Sequence, residues 1–75
     1  MNNFETWIVY DHPFDYPDSY VAKQFINQIE TERFILSSKL EGVVETLLER
    51  GFTCQKTVKD DNEIIQVWIK GGGLN

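Results

Sequence analysis

The most regular hydrophobic pattern in the chain predicts an amphipathic helix over residues 39–50. Its apolar positions recur at the spacing of one helical face and are Leu40, Val43, Val44, Leu47 and Leu48. Ser38 followed by Glu41 fits a capping box at the start of this helix, and Gly51 stands where a helix commonly ends. The opposite face carries glutamates four residues apart, at Glu41, Glu45 and Glu49.

Three segments have the apolar, β-favouring character of strands: residues 5–10, 52–58 and 63–70. The first is apolar on both faces, which predicts a central strand of a sheet. The other two predict a hairpin around a turn at residues 59–62. In the last segment, alternation predicts one face with Ile65, Val67 and Ile69 and an opposite face with Ile64 and Trp68.

The stretch from residue 19 to residue 29 has two interpretations. Its apolar residues recur at helical spacing, and Asp18 could cap such a helix. Tyr20, Val21 and Phe25 favour a strand instead, but periodicity alone favours the helix. A polar segment, residues 27–32, then separates this stretch from a short strand at residues 33–37.

Size and charge narrow the classes of protein. With 75 residues, we expect one small domain over residues 1–70 and a flexible glycine-rich tail at 71–75. Cys54 is the single cysteine, and no signal-peptide pattern or long apolar span is present, so we expect a soluble cytoplasmic protein. The net charge of −5 disfavours direct binding to nucleic acid or to anionic membranes.

The loop at residues 11–18 has the richest chemistry in the chain. It contains two prolines, which stiffen the backbone, and acidic and aromatic side chains suited to recognition. We predict that it binds a protein partner of unknown identity through Asp11, His12, Phe14, Asp15, Tyr16 and Asp18.

The chain as a whole resembles a family of small uncharacterised proteins found in bacteria and their phages. The resemblance rests on residues 7–13 (WIVYDHP), 15–18 (DYPD) and 20–22 (YVA), and on later matches such as Val67-Trp68. It implies a second strand over residues 19–27, continuing into a hairpin, and this expectation is adopted against the periodicity. The resemblance implies no activity, substrate or partner.

Two alternatives to partner binding by the loop stay open. A small metal-dependent hydrolase could be centred on His12, although the spacing of its neighbouring aspartates fits no established metal-ligand pattern, and we expect no cofactor and no metal. The row of Glu41, Glu45 and Glu49 could instead imitate nucleic acid and inhibit an enzyme that handles it.

The combined prediction is an α+β fold. We expect an antiparallel sheet of four or five strands with one helix, residues 39–50, packed on one face. The expected function is a non-enzymatic protein-binding module, a bacterial or phage-type accessory protein that docks through the loop. The expected state is a monomer or a weak homo-oligomer, the latter built on an exposed sheet edge.

Overall fold

The computed structural model describes residues 4–57 and 64–70, which form an antiparallel sheet and one helix. In chain order the elements are β1 (Glu5–Asp11), β2 (Tyr20–Ile26), β3 (Ile29–Ser37), α1 (Leu40–Glu49), β4 (Phe52–Thr57) and β5 (Ile64–Lys70). The five strands are ordered β3-β2-β1-β5-β4, and each neighbouring pair is antiparallel. The α+β prediction is therefore confirmed at this level. The predicted turn at residues 59–62 and the predicted tail at 71–75 lie outside the described residues.

β1 is the central strand, as its two apolar faces predict. Trp7 and Val9 point towards the helix and are 1% and 0% exposed. Ile8 and Tyr10, which alternate with them, point to the other face and are half-buried. The strand is hydrogen-bonded to β2 along one edge and to β5 along the other.

Residues 20–26 form a strand, so the helix favoured by periodicity is wrong and the strand implied by the resemblance is correct. Val21 and Ala22 are neighbours in the sequence and both are fully buried, a pattern that the buried side of a helix can also produce. In the fold they are buried on opposite faces of β2. Hydrogen-bonded neighbours on both sides, β1 and β3, stabilise the extended conformation.

The turn between β2 and β3 is much shorter than the polar pattern predicts. Asn27 and Gln28 both have positive φ angles, 53° and 72°, as the central residues of a type I′ hairpin turn do. The Asn27 N–H donates to the Phe4 carbonyl at 2.8 Å, and Asn27 Oδ1 accepts from the Phe4 N–H at 2.9 Å. Residues 29–32 belong to β3, so the predicted separator at 27–32 is wrong.

The helix runs across one face of the sheet, because it connects β3 at one edge to β4 at the other. It places Val43 and Leu47, both 0% exposed, on the large side chains of the inner strands. The buried core contains Trp7, Val9, Ala22, Val43, Leu47, Phe52 and Trp68. No helix in the described residues is long and apolar enough to cross a membrane.

Two details of the predicted helix differ from the structure. The capping box is wrong, since the N-cap is Lys39 and no side chain caps the helix; Ser37 Oγ instead accepts from the Lys39 N–H at 3.1 Å. Leu48 is 57% exposed, because the contact with the sheet is narrower than the apolar stripe. Gly51 ends the helix with a φ of 89°, as predicted.

The predicted sidedness of β5 needs one correction, at Ile65. Val67 lies opposite Ile8 on the face away from the helix, but Ile65 packs against the core. The register with β1 shifts between Val9 and Tyr10, and this irregularity moves Ile65 to the core side.

A hydrogen-bonded network lies at one end of the core. Glu5 Oε2 accepts from Trp7 Nε1 at 2.9 Å and from Gln24 Nε2 at 2.7 Å. Gln24 Oε1 in turn accepts from Thr31 Oγ1 at 2.8 Å. Gln24 is the buried polar side chain among the described residues, and this network satisfies it.

A candidate protein-docking loop

The loop between β1 and β2 is closed by backbone hydrogen bonds. The His12 N–H donates to the Ser19 carbonyl at 3.0 Å across the base of the loop. Within it, the Tyr16 N–H donates to the Pro13 carbonyl at 2.9 Å and the Ser19 N–H donates to the Tyr16 carbonyl at 3.2 Å. Two consecutive turns therefore order the loop, with the two prolines restricting its backbone further.

Phe14 stands at the tip of the first turn and is 96% exposed. It follows Pro13, which is buried, so the chain anchors one side chain and presents the next. A phenylalanine that is left in water forgoes roughly 1.5–3 kcal/mol of burial free energy. Phe14 thus contributes little to the fold, and its position suits contact with another molecule.

The second half of the loop lies against the sheet face that α1 does not cover. The ring of Tyr16 packs on the ring of Phe34 in β3, with centroids 5.7 Å apart. Lys23 Nζ lies 3.7 Å from a carboxylate oxygen of Asp15 and 3.8 Å from one of Glu30. The same amine lies over the ring of Tyr10, 5.4 Å from its centroid. These contacts connect the loop to β2 and β3.

Asp11 and His12 form a pair at the base of the loop. His12 Nδ1 donates to Asp11 Oδ1, and the His12 ring packs edge-on against Tyr20 with centroids 4.8 Å apart. His12 has a φ of 51°, which a histidine adopts more readily than a bulky residue does. Asp11 and Tyr20 also line a hollow of about 340 Å³, together with Leu40 and Ile65.

The remaining candidate acids are apart from this pair. Asp15 is held by Lys23, and Asp18 is exposed on the second turn. In residues 4–57 and 64–70 there is no group of three or more His, Cys, Asp or Glu side chains placed to hold a metal ion. The Asp11–His12 pair can orient the imidazole, as the hydrolase alternative requires. The described residues do not supply the metal-binding group that the same alternative requires.

The glutamate row on the helix is fully solvated. Glu41, Glu45 and Glu49 are all exposed, and none of them forms an ion pair within the described residues. Leu48, on the same side of the helix, adds an exposed apolar side chain. This surface lies on the helix side of the sheet, away from the contact between Tyr16 and Phe34.

Sequence reasoning missed the support that β2 and β3 give to the loop. Phe34 and Lys23 pair across these strands, on the face towards which Tyr16 and Asp15 fold. The β-like run at residues 33–37 indicated that Phe34 lies in a strand, but its partner depends on the register between β2 and β3.

Comparison with protein-family models, with curated proteins and with solved structures gave no match.

Proposed function

We propose that the protein is a non-enzymatic binding module, a bacterial or phage accessory protein whose 11–18 loop docks onto a protein partner. The observation that carries the proposal is Phe14, 96% exposed on a loop that backbone hydrogen bonds hold in one conformation. Aromatic side chains at the centre of an interface supply much of its binding free energy. Phe14 is the anchor residue in this proposal.

The ordering of the loop supports its role in binding. Immobilising a flexible segment on association costs roughly 0.5–1.5 kcal/mol for each ordered side chain. Here three backbone hydrogen bonds and the packing of Tyr16 on Phe34 order the loop beforehand. A partner that receives Phe14 would therefore bear less of that cost.

The charges around Phe14 indicate the kind of surface that it fits. Asp15 and Asp18 are exposed on either side of Tyr16, and Asp11 is exposed at the loop base. Complementary charge accelerates association and selects partners. The proposed partner surface is an apolar pocket for a phenylalanine ring with basic groups on its rim.

Site-specific photo-crosslinking in cells of the source organism tests the proposal directly. Phe14 is replaced by benzoylphenylalanine, a larger aromatic that an exposed position accommodates without disturbing the core. The matched control carries the same group at Leu48, which is also exposed but lies on the helix. A discrete crosslinked protein from position 14 and none from position 48 is the expected result.

The captured partner then allows affinity to be measured. Phe14→Ala should weaken binding by about 2–4 kcal/mol, the range of an aromatic anchor, and leave the melting curve unchanged. Leu48→Ala should bind like the parent. Equal affinity of Phe14→Ala and the parent would reject the loop as the docking surface.

The glutamate row is the second candidate, favoured by three exposed carboxylates on one helical row beside Leu48. Successive glutamates there are separated by a rise of about 6 Å, whereas one DNA strand carries a phosphate every ~3.4 Å along its axis. This lower charge density places mimicry second. Loss of partner binding on reversing Glu41, Glu45 and Glu49 to lysine, with Phe14→Ala harmless, would reverse the order.

A further inference from the structure

The sheet face opposite α1 is apolar at its centre. Cross-strand pairs place Ile8 beside Val67 and Thr6 beside both Phe25 and Ile69, so these side chains share one side of the sheet. Tyr10 lies on the same side. We call this surface the open face, because α1 packs on the other side and only the 11–18 loop, at β2 and β3, covers part of it among the described residues.

The composition of the open face differs from that of a solvated sheet face. An antiparallel sheet with one side in water usually alternates apolar and polar residues, with the polar ones outside. Here the water-facing positions of the central strand include Ile8 and Tyr10, and those of β5 are Val67 and Ile69. Towards the β3 edge, Phe34 and Leu36 are 47% and 45% exposed. Lys23 lies between Phe34 and Ile8 across this face, so the apolar patch is centred on Ile8 and its β5 neighbours. An apolar patch on a sheet face is typical of an interface.

We propose that the open face binds a second copy of this chain, with the two sheets packed face to face about a two-fold axis. This surface does not include Phe14, although Asp15 and Tyr16 of the docking loop border it, and the inference goes beyond the proposed docking function. In a symmetric dimer the same patch is used twice, so the apolar side chains of Ile8, Val67 and Ile69 meet their own counterparts. Lys23, opposite Ile8 on the same face, is already paired with Asp15 and Glu30.

The size of the open face fits a weak dimer. Five strands at ~4.8 Å spacing and seven residues at ~3.3 Å rise give a sheet of about 24 by 23 Å. The 11–18 loop already covers part of this face at β2 and β3, so two copies bury at most roughly 1,100 Å² together, close to the ~1,000 Å² lower limit of a specific interface. The dimer should therefore dissociate on dilution.

The charges permit this association despite the net charge of −5. The glutamate row lies on the outer side of α1, so face-to-face packing keeps the two rows far apart. Towards the β3 rim of the open face lie Asp15 and Glu30, which share the single cation Lys23 and so keep a net negative charge, and at the β4 rim lies Lys56, which pairs with Val67. A two-fold axis parallel to the strands places the acidic rim of one copy opposite the basic rim of the other.

The edges of the sheet are less suited to self-association than its open face. The register shifts in β2–β3 pairing between Lys23 and Phe25, and in β4–β5 pairing between Cys54 and Lys56. Such irregularities, together with charged side chains such as Glu32 and Arg33 on β3, hinder strand addition at an edge. The proposed dimer therefore uses the open face in place of the sheet edge expected from the sequence.

Sedimentation equilibrium of the full chain tests the proposal from low to high micromolar concentration. The mass should rise from one chain of 8.8 kDa to two. Ile8→Glu should weaken dimerisation by roughly 30-fold or more, the effect of removing a hot-spot residue, because symmetry introduces the charge twice. Its pairing opposite Lys23 favours a stable fold for this variant.

Ile29→Glu is the matched control, since Ile29 is 71% exposed but lies on the helix side of the sheet. It should dimerise like the parent, and so should Phe14→Ala, which separates this inference from the docking loop. If Ile8→Glu fails to fold by circular dichroism, Val67→Thr with Ile69→Thr keeps the β-branched side chains and should still weaken the dimer.

Three results would overturn the proposal. The parent could remain one chain at every concentration, which leaves the face to a different partner or to none. The folded open-face variants could dimerise like the parent. Ile29→Glu could abolish dimerisation while Ile8→Glu does not, which would place the contact at the β3 edge.

Discussion

The two faces of the sheet are built from the same strands, yet their burial differs sharply. On β1, Trp7 and Val9 are 1% and 0% exposed beneath α1, whereas Ile8 and Tyr10 between them are half-buried. Both sets are apolar, so hydrophobicity does not distinguish the faces. The difference comes from the helix, which covers one face, whereas the 11–18 loop covers only part of the other.

The largest expected effect comes from the helix, where two adjacent leucines, Leu47 and Leu48, differ in burial. Leu47→Ala should lower the free energy of unfolding by about 2–5 kcal/mol, because Leu47 is 0% exposed and its loss leaves a cavity in a small core. Leu48→Ala should change it by less than about 1 kcal/mol, since Leu48 is 57% exposed. Chemical denaturation measures both. Equal effects would mean that the helix packs on a different side.

Adjacent positions on β1 test the two faces in the same way. Val9→Thr should lower the free energy of unfolding by about 1–3 kcal/mol, because it buries a hydroxyl group in the apolar core without a hydrogen-bond partner. Ile8→Thr should cost less than about 1 kcal/mol when measured at high dilution, where a dimer is dissociated. A larger loss from Ile8→Thr than from Val9→Thr would contradict the assignment of the covered and open faces.

The polar network at the end of the covered face should have an intermediate effect. Glu5→Ala removes the acceptor of both Trp7 Nε1 and Gln24 Nε2 and should cost about 1–2 kcal/mol. Glu45→Ala, on the solvated side of α1, is the control and should be near neutral. A neutral Glu5→Ala would show that water replaces the carboxylate fully.

On the open face, the Tyr10 hydroxyl reports partial burial through its titration. Burial raises the pKa of Tyr10 above its ordinary value of 10.0; nearby Lys23 opposes this shift and Glu30 adds to it. The folded state therefore holds the phenolic proton more tightly than the unfolded state. This contribution to stability is complete below pH 10.0 and is lost as the pH rises through the raised pKa.

Absorbance titration of the parent and of Tyr10→Phe measures the difference. The titration step that is lost in Tyr10→Phe should lie above the ordinary pH range of tyrosine. A higher protein concentration should shift this step to still higher pH if a second copy covers the ring. A normal titration at Tyr10 would mean that the open face is more solvated than the structure indicates.

The smallest effect is expected on the solvated glutamate row. Glu45→Lys relieves repulsion from Glu41 and Glu49, one turn away on either side, and should stabilise the fold by about 0.2–0.5 kcal/mol for each pair. The gain should shrink in high salt, since exposed charges are screened. A loss above about 1 kcal/mol would show that Glu45 has a structural contact.

Local patterns were sufficient where one short segment decides its own environment. The spacing of Val43 and Leu47 predicted the helix and its buried side, and the two apolar faces of residues 5–10 predicted a central strand. Composition likewise singled out the loop that contains Phe14. It did not predict that Phe14 would be 96% exposed, because that depends on how Pro13 and Tyr16 pack on either side of it.

Pairing between distant segments decided the rest. Residues 20–26 have a helical repeat in their sequence, but β1 and β3 offer them hydrogen bonds and an apolar surface on each side. The register of β2 and β3 then sets Phe34 under Tyr16 and Lys23 beside Asp15. An isolated sequence window contains no information about these neighbours, which lie in other strands.

By itself, the sequence determined the helix, predicted at residues 39–50 and observed at Leu40–Glu49, the central strand and the chemical character of the 11–18 loop, because hydrophobic spacing and turn-forming residues act over a few positions. The tertiary structure decided which strand faces meet α1, which apolar side chains stay in water and where the loop rests. Those outcomes depend on the path of one helix from β3 to β4 across a single side of the sheet. One helix covers one face, and the apolar residues Ile8, Val67 and Ile69 of the other face stay half-buried.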